Sequence, residues 1–338
     1  MAVLSRFDST FFSTIIRWCI SQFTWRNAVV LYALFNLKSV PFSWHIRLFF
    51  HLFRRIRWQP HIYPDPKLLT DNKTCLEQHL HPIFAPASVT SRAPLWEIDY
   101  NCHKSNSTYF SDLDIARTVL VTNLYTPGFE ILQRQMDKEI DETGKRKYPP
   151  GRLTVMLGSV FCAFKKEIMP YELYEMRSKV AAWDEKWLYV MTFFFRPAKR
   201  KGQEKTLLAV GLSKYVTKKG RLTVRPEKVL RASGLLPARP EGEVSTAPSS
   251  SLESPASGEL VNGDNGLEEA GIREVLTLEE SMSLDQAVLR NDKKTRSAWD
   301  ELLWTWEKIE PERLRGLEVV RGFINMDAKL YEEVALTR

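Results

Sequence analysis

The sequence predicts an α+β domain in which an antiparallel sheet packs against one long helix. Three observations support this class. Apolar residues recur with helical spacing between residues 106 and 125. Four segments with period-two apolar alternation follow between residues 153 and 217, and short polar connections join them. A single short strand precedes the helix, so strands and helices do not alternate as they would around a parallel sheet.

The chain is long enough for one or two domains with a real core, since it has 338 residues of which 44% are hydrophobic. Its formal net charge of +7 belongs to the N-terminal segment alone. Residues 1–70 contain nine Lys or Arg and two Asp, whereas the remaining 268 residues carry 39 basic and 39 acidic side chains. Because the predicted domain has no basic excess, we expect no nucleic-acid partner.

Residues 1–65 are predicted to be a hydrophobic, basic segment that associates with a membrane. Phe, Trp, Leu and Ile crowd residues 10–57, and the best spanning window, Trp18–Leu37, contains one charge, Arg26. An arginine near a bilayer centre costs about 2.5–3.5 kcal/mol, so a full span is marginal. Residues 41–58 alternate bulky apolar side chains with Arg and His, which is typical of a helix lying among lipid headgroups. The alternative is a helical hairpin packed on the domain.

The cysteines and the missing motifs narrow the chemistry. Four cysteines show no paired spacing, which predicts a reducing compartment such as the cytosol for the domain. Cys75, His79 and His81 fit no common zinc spacing, so we predict no metal. The chain contains no P-loop, no dinucleotide glycine fingerprint, no H-E-x-x-H and no G-x-S-x-G. We therefore expect no cofactor.

The long helix is predicted over residues 106–125. Its apolar stripe, expected in the core, consists of Tyr109, Leu113, Ala116, Leu120 and Leu124. Ser105 or Asn106 can cap its start, and Asp112 lies toward the positive end of its dipole. Pro127-Gly128 predicts its end.

Five strands are predicted. They are a short one at Trp96–Ile98, one from Leu153 to about Ile168, one containing Tyr174, Met176 and Val180, and two more at Trp187–Arg196 and Thr206–Thr217. A phase slip is expected near Leu173. The fourth strand is nearly all apolar, which predicts a central strand covered on both faces.

The C-terminal third predicts a linker followed by helices. Residues 237–268 are rich in Pro, Ser, Glu and Gly and are expected to be disordered. Residues 270–338 are predicted to form a helical extension, in which Trp299–Ile309 has amphipathic spacing and Pro311 could start another helix. We expect this extension to pack on the domain or near the membrane.

The segment leading into the long helix combines side chains suited to acyl-thioester hydrolysis. Asp99 and His103 are four residues apart, and Ser105, Asn106 and Tyr109 follow. A carboxylate can attack a thioester carbonyl or activate water. Unpaired backbone N–H groups at a helix N-terminus can stabilise the oxyanion that develops.

This segment resembles the D-x-x-G-H-x-N-N-x-x-Y signature of the hotdog-fold acyl-CoA thioesterases of the 4-hydroxybenzoyl-CoA type. The matching positions are Asp99, His103, Asn106 and Tyr109. Cys102 replaces the signature glycine, and Ser105 replaces its first asparagine. The hydrophobic N-terminus makes the chain most similar to the membrane-attached branch, the thioesterase superfamily member 6-like proteins.

The resemblance implies a hotdog domain over residues 85–235, in which the sheet wraps around the helix, and a homodimer. It implies an acyl-CoA or other acyl-thioester substrate, hydrolysed at a membrane surface, with Asp99 as general base or nucleophile. Backbone N–H groups near Ser105 and Asn106 would then contact the oxyanion.

The resemblance also implies lesser roles for the other matching side chains. In the family, the histidine at the position of His103 shapes the loop more often than it transfers protons. The tyrosine at the position of Tyr109 packs in the pocket wall. Cys102 could reshape the acyl pocket or impair the site, since glycine at that position gives backbone freedom.

Two alternatives stay open from the residues themselves. Asp99 could be a turn or capping aspartate ahead of the helix. The whole domain could be a hotdog scaffold that binds acyl-CoA or a lipid, or mediates assembly, without hydrolysis. Phe161, Phe193 and Phe195 are candidates either for the wall of an acyl tunnel or for plain sheet core.

Overall fold

The computed structural model describes residues 24–56, 81–140, 144–198, 200, 203–237 and 305–336, together with positions 14, 17, 18 and 21. The predicted linker from residue 238 onward lies outside the described residues, as does the extension up to residue 304. Cys75 and His79 also lie outside them.

A six-stranded antiparallel sheet forms the domain, with strand order β1-β3-β4-β5-β2 and with β6 paired to β5. The strands are β1 Ala87–Arg92, β2 Leu153–Phe164, β3 Leu173–Trp183, β4 Trp187–Arg196, β5 Thr206–Lys219 and β6 Leu222–Val224. The helices are α1 Trp25–Phe35, α2 Ser43–Arg55, α3 Thr108–Lys138, α4 Pro226–Ala232 and α5 Trp306–Leu336. The curled sheet around the long helix α3 confirms the predicted α+β, hotdog-like fold.

The inner face of the sheet and α3 enclose the core. All five residues of the predicted stripe are buried: Tyr109, Leu113, Ala116, Leu120 and Leu124. Near the start of α3 the first three of them pack with Met176 of β3, Phe194 of β4 and Ala209 of β5, and the last two belong to the main core cluster. The helical spacing therefore identified the side of α3 that meets the sheet.

The first strand lies earlier than predicted. Leu95–Glu97 is a 3₁₀ turn, closed by the Glu97 N–H bonding the Pro94 carbonyl at 3.0 Å, so the strand predicted at Trp96–Ile98 is wrong. The first strand is β1, which pairs with β3 at an edge of the sheet. Four of its six residues, in the sequence Ala-Ser-Val-Thr-Ser-Arg, are polar because an edge strand is partly solvated, and it therefore gives a weak apolar signal.

The sheet contains three irregularities of register, none of them at the predicted place. They lie between Leu157 and Ser159, between Val180 and Ala182, and between Phe194 and Phe195. Leu173 begins β3 in register opposite Arg92, so the slip predicted there is wrong. β2 ends at Phe164, before the predicted residue 168, because the next two backbone N–H groups both turn to the Leu208 carbonyl.

The long helix continues through Pro127-Gly128, where its end was predicted. Proline removes one intrahelical hydrogen bond, but it does not prevent a helix that neighbouring elements hold in place. Gly128 allows α3 to approach α4 closely. A Cβ at this position would lie 2.5 Å from the Ser233 backbone nitrogen and 2.7 Å from the Val229 carbonyl oxygen. Packing against α4 and its C-terminal end thus overrides the local stop signal.

The C-terminal helix α5 covers part of the outer face of the sheet. Val320 of α5 is buried against Ala182 of β3 and Tyr189 of β4. The Arg313 guanidinium donates to the Trp183 carbonyl at 2.8 Å. The predicted packing of the extension on the domain is therefore confirmed for its last helix, and β4 is covered on both faces.

Pro311 lies inside α5 and does not start a second helix, contrary to the prediction. The helix begins at Trp306, and the side chains on both sides of the proline anchor it. Ile309 is buried in the main core, and Arg313 is buried against β3. These contacts compensate for the one backbone hydrogen bond that proline removes.

Replacing Gly316 of α5 by alanine should weaken the contact between helix and sheet. A Cβ at Gly316 would lie 1.8 Å from the Ala181 carbonyl oxygen, so α5 would have to move away. We expect a loss of about 1–3 kcal/mol in unfolding free energy, as for overpacking in a core, measured by denaturant unfolding. Gly322→Ala is the matched control, because a Cβ there meets nothing within 4 Å. It should stabilise the protein by about 0.5–1 kcal/mol, and equal effects of the two variants would contradict the proposed contact.

Residues 24–56 form two short helices with a break between them at residues 36–42. None of the helices in the described ranges has the length and apolar character required to cross a membrane. Within the predicted window Trp18–Leu37, α1 covers the eleven residues Trp25–Phe35. α2 packs against α3, as the alternative of a docked hairpin predicted.

Most large apolar side chains of this hairpin nevertheless face outward. On α2 the exposed side chains include Ile46, Phe49, Phe50 and Phe53, and on α1 they include Trp25, Val30, Leu34 and Phe35. Residues 24–56 contain five Lys or Arg and no Asp or Glu. The hairpin thus presents an apolar surface with cationic side chains, which is unusual for a face turned to water.

Candidate functional site

The predicted site segment forms a tight turn between the 3₁₀ turn and α3. Ile98 and Lys104 form an antiparallel bridge, and the Asp99 N–H donates to the His103 carbonyl at 2.9 Å. The Cys102 N–H returns to the Asp99 carbonyl at 3.0 Å. We call residues 97–105 the Asp99 loop. Its backbone bonds bring Asp99 and His103 next to each other.

The Asp99 carboxylate is partly open to solvent, its side chain being 20% exposed. Its Oδ1 accepts the Asn101 N–H at 2.9 Å and lies 3.5 Å from His103 Nδ1. The contact with Asn101 is the one expected of a turn aspartate. Within the described part of the chain, Oδ2 has no hydrogen-bond partner. One carboxylate oxygen therefore shapes the loop, while the other is available for chemistry.

Cys102 adopts a backbone conformation that favours glycine, with φ of 62°. This is the position at which the thioesterase signature has Gly. A side chain in this left-handed region costs roughly 1–2 kcal/mol. The exposed Cys102 side chain points away from the core, so the loop keeps the turn that glycine would give. The replacement costs conformational energy rather than changing the path of the backbone.

The helix N-terminus offers backbone donors at Asn106 rather than at Ser105. The Ser105 N–H is already used, because it donates to the Glu97 carbonyl at 2.7 Å. The N–H groups of Asn106 and Ser107 have no acceptor among the described residues. We therefore expect the oxyanion to contact these two amides. They lie at the start of α3, where the helix dipole favours negative charge.

Tyr109 lies in the core just behind the loop. Its ring contacts Phe164 and Phe194, with centroid separations of 4.9 and 5.2 Å. Burial raises the pKa of its hydroxyl far above the usual value. Tyr109 therefore stays neutral and packs, as predicted, while the Asn106 side chain is exposed to solvent.

The phenylalanines proposed for an acyl tunnel lie away from α3. Phe161 is 44% exposed and contacts Phe323 of α5. Phe193 and Phe195 stack on each other, and it is Phe194 that joins the inner core. These three side chains therefore belong to the outer side of the sheet.

A buried group of charges beneath the Asp99 loop was missed by the sequence interpretation. It consists of Lys38, Glu97, Lys104, Asp112 and Tyr174, and we call it the charged ring. Lys104 Nζ forms ion pairs with Glu97 and, at 2.9 Å, with Asp112. The Tyr174 hydroxyl donates to Asp112. The side chains of Lys104 and Asp112 are fully buried.

Lys38 completes the charged ring from the N-terminal hairpin. Its Nζ lies 2.8 Å from Glu97 Oε2, 2.9 Å from Asp112 Oδ2 and 2.8 Å from the Tyr174 hydroxyl. Burial alone would raise the pKa of Asp112, but the ammonium groups of Lys38 and Lys104 outweigh it and lower that pKa. The sequence interpretation counted Lys38 only in the net charge of the N-terminal segment and related Asp112 only to the helix dipole, so it missed the ion pairs that both residues form. One feature of the sequence could have indicated this cluster. Lys104 lies inside the motif, and acidic residues precede and follow it along the chain.

No group of three or more His, Cys, Asp or Glu side chains within the described ranges could hold a metal ion. The Asp99 loop itself offers a carboxylate, an imidazole and backbone amides.

The comparisons with known proteins agree with the fold. A family model described as the thioesterase-like superfamily matches residues 93–232. Thioesterase lcsJ of Purpureocillium lilacinum is 36% identical over 91% of this chain and 92% of its own. Probable thioesterase YBR096W of Saccharomyces cerevisiae is 32% identical over 66% of this chain and 81% of its own. Protein THEM6 of Danio rerio is 22% identical over 35% of this chain and 50% of its own. With a shared fold, a motif at family spacing and near full-length similarity to lcsJ, this chain belongs to the thioesterase-like superfamily.

Proposed function

We propose that the protein hydrolyses acyl-CoA or a related acyl thioester at a membrane surface. The observation that carries this proposal is that one segment holds both a partly exposed carboxylate, Asp99, and two free backbone amides at the start of α3. Asp99 acts as general base or nucleophile at the thioester carbonyl. The amides of Asn106 and Ser107 receive the oxyanion, and His103 orients Asp99.

The names of the relatives support the reaction class, since several are thioesterases at 32–38% identity. The reaction adds water across the thioester, so the acyl group leaves as a carboxylic acid and the thiol of CoA is released. A homodimer, with a second copy seated at a sheet edge, is part of the proposal and can be measured by light scattering. We place the domain in a reducing compartment such as the cytosol.

The direct test is hydrolysis across a series of acyl-CoA chain lengths, followed by detection of the released thiol. Thioester cleavage that depends on Asp99 supports the proposal. Tight binding of acyl-CoA without cleavage at any chain length would instead favour the non-catalytic scaffold. That alternative draws on two observations: the turn contact of Asp99 with Asn101, and the strained Cys102 in place of glycine.

The membrane part of the proposal rests on the outward face of the hairpin. Four exposed apolar side chains follow one another at helical spacing on α2: Ile46, Phe49, Phe50 and Phe53. Such a face, on a segment with only basic charges, suits a helix lying in the headgroup region of anionic lipid.

Substituting Phe49 and Phe53 together by Glu should abolish binding to vesicles that contain anionic lipid. Burying a phenylalanine side chain contributes about 1.5–3 kcal/mol, and each Glu adds repulsion from the lipid surface. We expect the vesicle-bound fraction in a flotation assay to fall at least tenfold. Val319→Glu is the control, because Val319 is equally exposed but lies on α5. Unchanged flotation of the double variant would rule out the hairpin as the lipid contact.

A further inference from the structure

The hairpin bend is fastened to the Asp99 loop by the side chains of Asn36 and Lys38. Asn36, fully buried, closes the end of α1 by donating to the Tyr32 carbonyl at 2.8 Å. Its Oδ1 accepts the Trp96 N–H at 3.0 Å. Two residues further on, Lys38 reaches Glu97 and also donates to the Arg92 carbonyl at 3.1 Å. The bend therefore holds the backbone immediately before Asp99.

The charged ring holds both ends of the Asp99 loop. Glu97 stands at its beginning and Lys104 near its end, and their side chains form an ion pair. Asp112 of α3 connects both lysines to the helix whose N-terminus supplies the free amides. A displacement of Lys38 would thus act on the carboxylate side and on the amide side of the candidate site.

The charges of the ring also make the contact with the hairpin difficult to break. Lys38 and Lys104 balance Glu97 and Asp112, so withdrawal of Lys38 leaves two carboxylates with one ammonium group in a buried space. The Arg47 guanidinium, also from the hairpin, lies 3.6 Å from Asp112 Oδ1. Burying an unpaired charge is costly, so the bend and the loop should move together.

We infer that Lys38 is a positioning residue that couples the lipid-binding hairpin to the Asp99 loop, so that contact with a lipid surface raises turnover. This inference rests on the proposed function. A hairpin held at a surface restricts the motion of its bend, and the charged ring passes that restriction to the loop. Lys38 does not touch the substrate; it acts through Glu97 and Asp112.

The test compares Lys38→Met with Arg26→Met in the full chain. Both variants remove one positive charge from the hairpin, but Arg26 is exposed on α1 and lies outside the ring. Hydrolysis is measured with and without vesicles of phosphatidylcholine and phosphatidylserine. We expect vesicles to stimulate the wild type and Arg26→Met at least threefold. For Lys38→Met we expect no stimulation, a kcat at least tenfold lower and a KM within about twofold of wild type.

Hydrogen exchange gives a readout that does not depend on hydrolysis. In Lys38→Met, amides of residues 97–105 should exchange at least tenfold faster, while those of β4 and β5 remain unchanged. Wild-type kcat and exchange in this variant would overturn the inference. Faster exchange throughout the sheet would also overturn it, since Lys38 would then serve stability alone.

A second variant keeps the test decisive if Lys38→Met does not fold. Asn36→Ala removes the other contact of the bend without leaving a carboxylate unpaired, and it should give the same pattern in a weaker form. An inactive wild type would refute the proposed hydrolysis instead, and full activity of Asp99→Asn would refute the proposed role of Asp99. The exchange comparison would still decide whether the hairpin is coupled to the loop.

Discussion

Asp99→Asn should lower kcat/KM for acyl-CoA by about 10²–10⁴-fold, the usual contribution of a positioned acid or base. The amide keeps an oxygen that can accept the Asn101 N–H, so the loop should retain its shape. What disappears is the negative charge that attacks the carbonyl or activates water. We expect the loss in kcat, with KM changed by less than about threefold if chemistry limits turnover.

A second turn aspartate provides the control for Asp99. Asp184 connects β3 and β4 and accepts the Lys186 N–H at 2.8 Å, in the same relation that Asp99 has to Asn101. Asp184→Asn should change the melting temperature but not kcat. If Asp99→Asn behaves like Asp184→Asn, with altered stability and a kcat within threefold of wild type, then Asp99 is only a turn residue and the proposed mechanism fails.

Lys104→Met should cause the largest loss of stability among the substitutions considered. Removing one partner of a buried ion pair costs about 3–5 kcal/mol, because the other charge stays buried. Lys104 faces two such partners, Glu97 and Asp112. For a domain of this size we expect a fall in melting temperature of about 10–15 °C, measured by calorimetry. Lys166→Met, at an exposed position after β2, should shift it by less than about 2 °C.

The loss in Lys104→Met should shrink as the pH falls toward 4. In the wild type the two ammonium groups lower the folded-state pKa of Asp112, so its stabilisation is present above the unfolded pKa and is lost as the pH falls through the folded value. Without Lys104 that pKa rises, and the folded variant binds a proton at a higher pH. A melting temperature near wild type at pH 7, or a difference that grows on acidification, would contradict this account of the ring.

The fold was predictable where one periodicity dominated, and it was missed where distant packing decided. The stripe from Tyr109 to Leu124 identified the buried side of α3. Pro127-Gly128 is a local signal for the end of a helix, yet Gly128 packs against α4. Only its closeness to the distant residues Ser233 and Val229 reveals this. The edge strand β1 escaped because its polar residues face solvent. Pro311 was misread for a similar reason, since Ile309 and Arg313 anchor α5 to elements far away in sequence.

The same distinction applies to the candidate site, where contacts within a local turn could be predicted and contacts between distant residues could not. Asp99 and His103 are neighbours because a turn of five residues brings them together, and the turn is local. Lys38 lies 59 residues from Glu97 and 74 from Asp112. A lysine in an apolar stretch gives the same pattern whether it reaches toward lipid headgroups or enters a buried ring. Only the fold distinguishes these two cases.

The placement of α5 determines where the protein can be shortened. The family model ends at residue 232, which suggests that the catalytic unit could be produced without residues 305–336. Such a truncated form would expose the apolar side of β3 and β4 that Val320 now covers, and would leave Lys214 without Asp327. We expect it to be poorly soluble, so purification and crystallisation should retain the terminal helix even if the intervening segment is trimmed.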